Sequence, residues 1–183
     1  TGMDQPVVSL AFNAQGDFLA AGGAKRLVKL WDLKTGRIRH TFGSHSQKAS
    51  GVKFFYNTPG LVTCSLDHTI KQWDVLNGKN VKTLQSISAV TTMEMTYEDA
   101  MVISGHSDGH VRIWSLSGAE LLNDLDYLHH EQTQVTAVVL SNDANKLMTY
   151  GRDNSITIVD LRTYQVLHKL THSDLSNGFA HNK

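Results

Sequence analysis

ISGHSDGHVRIW, residues 103–114, supports two incompatible readings. Gly105-His106-Ser107-Asp108-Gly109 spells G-x-S-x-G, the nucleophile-elbow pattern, in which a strand enters a strained turn and a helix leaves it beside the serine. The flanking residues argue otherwise. Ala100-Met101-Val102-Ile103 is a short apolar run on the entry side. On the exit side Val111 and Ile113 alternate with His110 and Arg112 up to Trp114. Period two after the turn predicts a strand, and strand, tight turn and strand make a hairpin with no helix N-terminus for an oxyanion hole.

The same phrase recurs along the chain. GGAKRLVKLWDLKTGR (22–37), CSLDHTIKQWDVLNGK (64–79), GHSDGHVRIWSLSGAE (105–120) and YGRDNSITIVDLRTYQ (150–165) align on Trp31, Trp73, Trp114 and Val159, at successive spacings of 42, 41 and 45 residues. A period near 40 with four short alternating segments per unit is the signature of four-stranded sheets repeated around an axis. Each unit offers a strand a (PVVSLAF, SGVKFFY, AVTTMEM, QVTAVVL), a strand b (DFLAAG, GLVTCS, AMVISG, KLMTYG), a strand c ending at the anchor, and a strand d. Glycines in Lys34-Thr35-Gly36, Asn77-Gly78 and Ser117-Gly118 are expected to supply the positive φ of the c-to-d turns. The sequence predicts an all-β architecture of about four antiparallel four-stranded units, at approximately 5–45, 46–86, 87–130 and 131–172, with 173–183 beginning another. An opening on strand a suggests that a strand from elsewhere completes the first sheet.

Fixed offsets from the anchor carry polar groups. Asp67, Asp108 and Asp153 stand six residues before it, at the b-to-c turn, and Thr63, Ser104 and Thr149 stand ten before. A buried carboxylate must find donors in the turn or in a nearby imidazole, and the hydroxyls can meet the indole N–H of Trp73 and Trp114. Ser107 therefore holds the slot of Leu66 and Arg152, and the turn recurs without a serine.

Composition excludes several classes. The 183 residues are 40% hydrophobic and 19% charged with a formal net charge of zero, so no basic field exists to hold a nucleic acid or an anionic membrane. One cysteine, Cys64, rules out an internal disulfide framework and points to a reducing compartment. No apolar run reaches about 18 residues and no leader opens the chain, so a cytoplasmic location is expected.

These units resemble WD repeats, named for the pair seen as Trp31-Asp32 and Trp73-Asp74. That resemblance implies a β-propeller, usually of seven blades, in which an Asp-His-Ser/Thr-Trp network ties each blade together. Carried over by residue, the second unit has His45, Thr63, Asp67 and Trp73. The third has Ser104, Asp108 and Trp114 but no histidine near Ser86-Ile87-Ser88. The fourth has Thr149, Asp153 and His129 or His130 but Val159 in place of tryptophan. In the first, Lys25 and Ala21 stand at the turn and hydroxyl positions, so a network is not expected.

Among such proteins, RHTFGSHSQKASGVKF (39–54), VISGHSDGHVRIW (102–114) and GRDNSITIVDLRT (151–163) are similar to the C-terminal propeller of the autophagy sixteen-like family, in roughly its second to fifth blades. The resemblance implies a partial propeller and a non-enzymatic protein-interaction scaffold. Its partners would be proteins of the autophagy conjugation complex or membrane-associated adaptors, with membrane contact only through them. No cofactor, metal, nucleic acid or small-molecule substrate is expected. The alternative is a general WD adaptor in another complex, such as a ubiquitin-ligase substrate receptor or a signalling scaffold.

Other constellations have plainer readings. His106 and His110 flank Asp108, but no spacing converges three metal ligands, and both are expected at a solvated turn. Phe54-Phe55-Tyr56 cannot form one stacking surface, because successive strand residues point to opposite faces. Loops joining d to a and b to c share a rim in a propeller, which makes Lys25, Arg26, Gln47, Lys48, His68, His110 and Asn154 the expected partner-binding residues. Four blades also leave an open ring with exposed apolar ends.

Overall fold

Val, Ile, Leu and Thr in period two, punctuated by Gly, Asn and Asp, favour pleated strands over any helix. The computed structural model describes residues 2–43 and 45–171, and the described residues contain sixteen strands and no helix. The first sheet comprises β1 (Val7–Phe12), β2 (Phe18–Gly23), β3 (Val28–Asp32) and β4 (Arg37–Phe42). The second comprises β5 (Ala49–Phe54), β6 (Gly60–Ser65), β7 (Thr69–Asp74) and β8 (Asn80–Gln85). The third comprises β9 (Val90–Met95), β10 (Met101–His106), β11 (Val111–Ser115) and β12 (Glu120–Leu125). The fourth comprises β13 (Val135–Leu140), β14 (Lys146–Gly151), β15 (Ser155–Asp160) and β16 (Gln165–Thr171). Each is an antiparallel meander in chain order. The first sheet holds four strands of its own, which corrects the expectation that one must come from elsewhere. The segment expected to open a further unit, 173–183, lies outside the described residues.

Packing runs between sheets. The anchor side of each sheet faces the preceding one: Trp73, Val75, Val52 and Phe54 meet Ala20, Val28, Leu30 and Phe42. Trp114, Met93 and Met95 meet Val62, Cys64 and Ile70 in the same way, and Val159, Val138 and Leu147 meet Ile103, Val111 and Ile113. Strand β6 is buried along its whole length because it is central in its sheet and sandwiched between two others. Phe54 and Phe55 enter opposite clusters, as alternation demands. Inner strands are stitched by hydroxyls: Val52 N–H donates to Ser9 Oγ at 3.1 Å, and Ser50 and Thr91 donate to the carbonyls of Val90 and Val135.

The ring is open. Leu10 and Phe12 on the anchor side of the first sheet are 60% and 65% exposed, whereas their counterparts Val52 and Phe54 are 1% and 7% exposed. Leu10, Leu19, Ala21 and Trp31 wall an open cavity of about 410 Å³ where a preceding sheet would sit. Val139, Met148 and Tyr150 leave the far side of the fourth sheet similarly uncovered. The architecture is an incomplete propeller.

The c-to-d turns correct one reading. Gly36 (φ 66°) and Gly78 (φ 71°) take the left-handed conformation, but in the third turn Ala119 (φ 56°) takes it and Gly118 does not, and in the fourth it falls to Tyr164 (φ 58°). The demand belongs to the position five after the anchor, whether or not a glycine stands there.

Candidate interaction surface

The second sheet carries a closed relay. Trp73 Nε1–H donates to Thr63 Oγ1 at 2.9 Å, and Thr63 Oγ1 lies 2.7 Å from His45 Nε2. Since that oxygen already accepts the indole, its own proton goes to Nε2, which leaves the Nδ1 proton for Asp67 Oδ2 at 3.0 Å. Asp67 also accepts the N–H groups of Ser46 and Thr69, at 2.8 and 3.0 Å, tying the d-to-a loop to the b-to-c turn. Burial lowers the His45 pKa despite the neighbouring carboxylate, so the ring is neutral. The fourth sheet repeats this with His129, whose Nε2 is 2.9 Å from Thr149 Oγ1 and whose Nδ1 is 3.2 Å from Asp153. His130 contributes only its backbone N–H to Asp153. Val159 fills the indole site and is fully buried.

The third sheet holds a network that the offsets did not reveal. His106, expected at a solvated turn, is fully buried on β10. Its Nε2 is 2.7 Å from Ser104 Oγ, which accepts Trp114 Nε1–H at 2.8 Å, and its Nδ1 is 3.1 Å from Ser88 Oγ. Arg112, 1% exposed, completes the set by donating to Asp108 Oδ2 at 2.8 Å, Ser88 Oγ at 2.9 Å and Asp124 Oδ2 at 3.0 Å. Burial and then the adjacent guanidinium push the His106 pKa down to about 3. Burial pushes Asp108 up, but the bonds from Arg112, Ser88 and His110 N–H together outweigh it and bring the carboxyl down to about 2. Period two held the signal, since His106 lies two residues beyond Ser104 and shares its face. In the first sheet Gln5 reaches the b-to-c turn, its Oε1 accepting Lys25 N–H at 2.6 Å.

The b-to-c turns and d-to-a loops lie together on one rim, joined by N–H to carbonyl bonds from Ala24 to Pro6, Leu66 to Lys48, Ser107 to Ala89 and Arg152 to Gln134 at 2.8–3.1 Å. Lys25, Arg26, Gln47 and Asn154 are exposed there, and Lys48, His68 and His110 are half-buried. His110 is not free, because its Nδ1 lies 2.8 Å from Asp124 Oδ1. Asn154 Oδ1 accepts Tyr150 Oη–H at 3.4 Å. Left-handed His68, Gly109 and Asn154 make these turns alike, and a Cβ at Gly109 would stand 2.6 Å from the His130 carbonyl oxygen. Lys25, Arg26 and Lys48 carry no ion pair among the described residues, which leaves a small basic group at the first two blades.

Ser107 sits between β10 and β11, which pair antiparallel, so the chain leaves the turn as a strand. Neither ring nitrogen of His106 reaches Ser107, since both are bonded to Ser104 and Ser88.

The profile of the family described as "WD domain, G-beta repeat" matches residues 1–32, 36–74 and 78–115. Autophagy-related protein 16 of Arabidopsis thaliana is 29% identical over 161 residues, covering 87% of this chain and 31% of that protein. Protein tipD of Dictyostelium discoideum is 29% identical over 179 residues, 97% of this chain and 29% of its own length. COMPASS component SWD3 of Saccharomyces cerevisiae is 28% identical over 175 residues, covering 88% and 55%. The chain thus spans less than a third of the first two relatives.

Proposed function

The chain belongs to the WD-repeat family, and on that premise we infer that it is a non-enzymatic interaction scaffold of the autophagy conjugation machinery. In this reading the propeller recruits the complex that lipidates ubiquitin-like proteins to membranes, in the cytoplasm and through protein partners. The observation that carries the scaffold reading is the fate of the polar groups. The imidazoles of the blade networks are held by their own blade's hydroxyls and carboxylates, directly or through Ser88, and Ser107 has no base within hydrogen-bond reach among the described residues. What remains at the rim is side-chain surface. The autophagy assignment is supported by the similarity to autophagy-related protein 16. A second reading, an adaptor in another complex, is supported by comparable identity to a COMPASS component.

Affinity purification of the tagged endogenous protein discriminates them. Enrichment of ubiquitin-like conjugation enzymes, lost when Lys25, Arg26, Gln47, Lys48, His68, His110 and Asn154 are changed to alanine, is the expected result. Enrichment of the subunits of another complex instead supports the second reading, and unchanged recovery by the alanine variant removes the rim. Labelling of Ser107 by a fluorophosphonate probe would overturn the non-enzymatic assignment.

A further inference from the structure

The opposite rim is built from the a-to-b loops at 13–17, 55–59, 96–100 and 141–145. They contain Asp17, Glu98, Asp99 and Asp143 and no lysine or arginine, while the c-to-d turns bonded to them bring Lys34 and Arg162 to the same rim. The clefts between neighbouring sheets open here, and the three junctions differ. Between the second and third sheets the cleft is closed: the Tyr56 and Tyr97 rings meet tilted by 52° with centroids 4.8 Å apart, Asp99 accepts the N–H groups of Tyr56 and Asn57 at 2.6 and 2.7 Å, and Asn57 Nδ2 donates to the Tyr97 carbonyl at 2.9 Å. Between the first and second it is a cavity of about 240 Å³, near which Asp17 is already neutralised by Lys34 at 3.0 Å.

Between the third and fourth sheets the cleft is larger, about 380 Å³, and is lined by Thr96, Tyr97, Glu98, Met101, Asp143 and the neighbouring residues of the 141–145 loop. Tyr97 is 44% exposed while its ring lies against that of Tyr56. Neither carboxylate forms an ion pair among the described residues, although Arg162, itself paired with Asp160, is close enough to attract Asp143. Glu98 has no hydrogen-bond or ion-pair partner among the described residues. Asp143 is oriented by neutral donors alone, Ser141 Oγ, Asn145 N and Asn145 Nδ2 at 2.5–3.2 Å, which hold its pKa down to about 2 without cancelling its charge. Lys146, the nearest basic residue in sequence, is not part of the lining.

We propose that this cleft docks a partner-protein segment carrying a lysine or arginine beside an apolar side chain. The cation would sit between Glu98 and Asp143 over the Tyr97 face, and the apolar side chain against Met101 and the ring. An aromatic wall held by a neighbouring ring loses little entropy on binding, and carboxylates without an ion pair at its mouth select the sign of the ligand. This surface is on the rim opposite the basic group of Lys25, Arg26 and Lys48, so it stands independently of the autophagy reading.

The test is fluorescence anisotropy of the chain with a fluorescein-labelled peptide, Gly-Ser-Lys-Leu-Arg-Phe-Ser-Gly, against the same peptide with glutamate at both basic positions. Binding by the basic peptide alone is expected, weakened about tenfold between 50 and 300 mM salt because rim charges are screened over about 10 Å. Glu98→Gln, which breaks no bond, is expected to weaken it about threefold, and Glu98→Gln with Tyr97→Ser by more than tenfold, on the usual scale for rim charges and cation–π contacts. Lys25→Ala with Arg26→Ala should leave it unchanged. Equal affinity for the glutamate peptide would place binding on the open apolar faces of the first and fourth sheets and overturn the proposal. So would no binding of the basic peptide, or indifference to both Glu98→Gln and Tyr97→Ser.

Discussion

Lowering the pH from 7.5 to 5.0 should destabilise this protein, and His106 should supply a separable share of the loss. Its folded pKa is about 3 against 6.5 for a free imidazole. Below 6.5 the unfolded chain binds a proton that the folded chain refuses, so stability falls with pH through that window and levels off only below the folded value. At pH 5.0 the unfolded state gains RT ln(1 + 10^1.5), about 2 kcal/mol, whether the folded pKa is 3 or 4. The result therefore does not depend on the depth of the shift. His45 and His129 are shifted the same way by burial and add to the wild-type slope. Urea melts followed by tryptophan fluorescence at both pH values, for wild type and His106→Gln, isolate the share of His106. The variant should lose about 2 kcal/mol less across the interval, a difference of about 1 M in urea midpoint at an m of about 2 kcal/mol/M. If His106→Gln does not fold, the His106 ring-proton resonance of the wild type is the readout, and it should not move between pH 7.5 and 4.5. Equal slopes, or a ring titrating near pH 6.5, would refute the buried neutral imidazole.

Three further outcomes follow from named positions. Arg112→Met removes the cation that two partly exposed carboxylates share, and should cost about 2–4 kcal/mol by urea denaturation, partly recovered in Arg112→Met with Asp124→Asn. Ala119→Gly relieves a left-handed alanine on an exposed turn and should stabilise by up to about 1 kcal/mol, seen as a higher Tm, whereas Tyr164→Gly should not gain because it also strips packing from the third and fourth sheets. Ser86→His and His106→Ser should each destabilise, while the double variant recovers at least about 1 kcal/mol relative to their sum.

How much was legible in the chain depends on whether a feature is set by spacing or by side-chain direction. The strand on the exit side of Ser107, the turn aspartates and the indole-to-hydroxyl bonds all sit at fixed offsets from the anchor, and period two and the 41–45-residue repeat locate them. The positive-φ position of the third turn was misassigned because a glycine stood one residue away from the demanding site, and glycine composition outweighed alignment. Arg112 was passed over because an alternating charged residue on a strand reads as a solvated face. It is buried only because Asp108 and Asp124 come from a turn and a neighbouring strand to meet it. Tyr97 and Glu98 gave no local signal, since their cleft exists only where two sheets separated by a loop diverge.

The misplaced histidine exposes a rule that the whole chain obeys. Each second strand ends at a position facing the segment that enters its sheet: Gly23, Ser65, His106 and Gly151. A Cβ at Gly23 would stand 2.4 Å from Gln5 Cδ, and one at Gly151 would stand 2.6 Å from His129 Nδ1. The slot therefore holds one large polar side chain, and when the entering loop supplies it, as with Gln5, His45 and His129, the strand end must be small. In the third sheet the loop offers only Ser86 and Ser88, and the strand supplies the imidazole from the other side. The ring still reaches Ser104 with Nε2, but its Nδ1 now falls short of the turn aspartate, so Ser88 bridges the gap and Arg112 takes over Asp108. Because these bonds close within one sheet while the apolar packing runs between sheets, a blade can exchange its network without disturbing its neighbours. The repeat thus keeps its fold while its polar wiring drifts, and the wiring alone is a poor guide to which rim residues a partner reads.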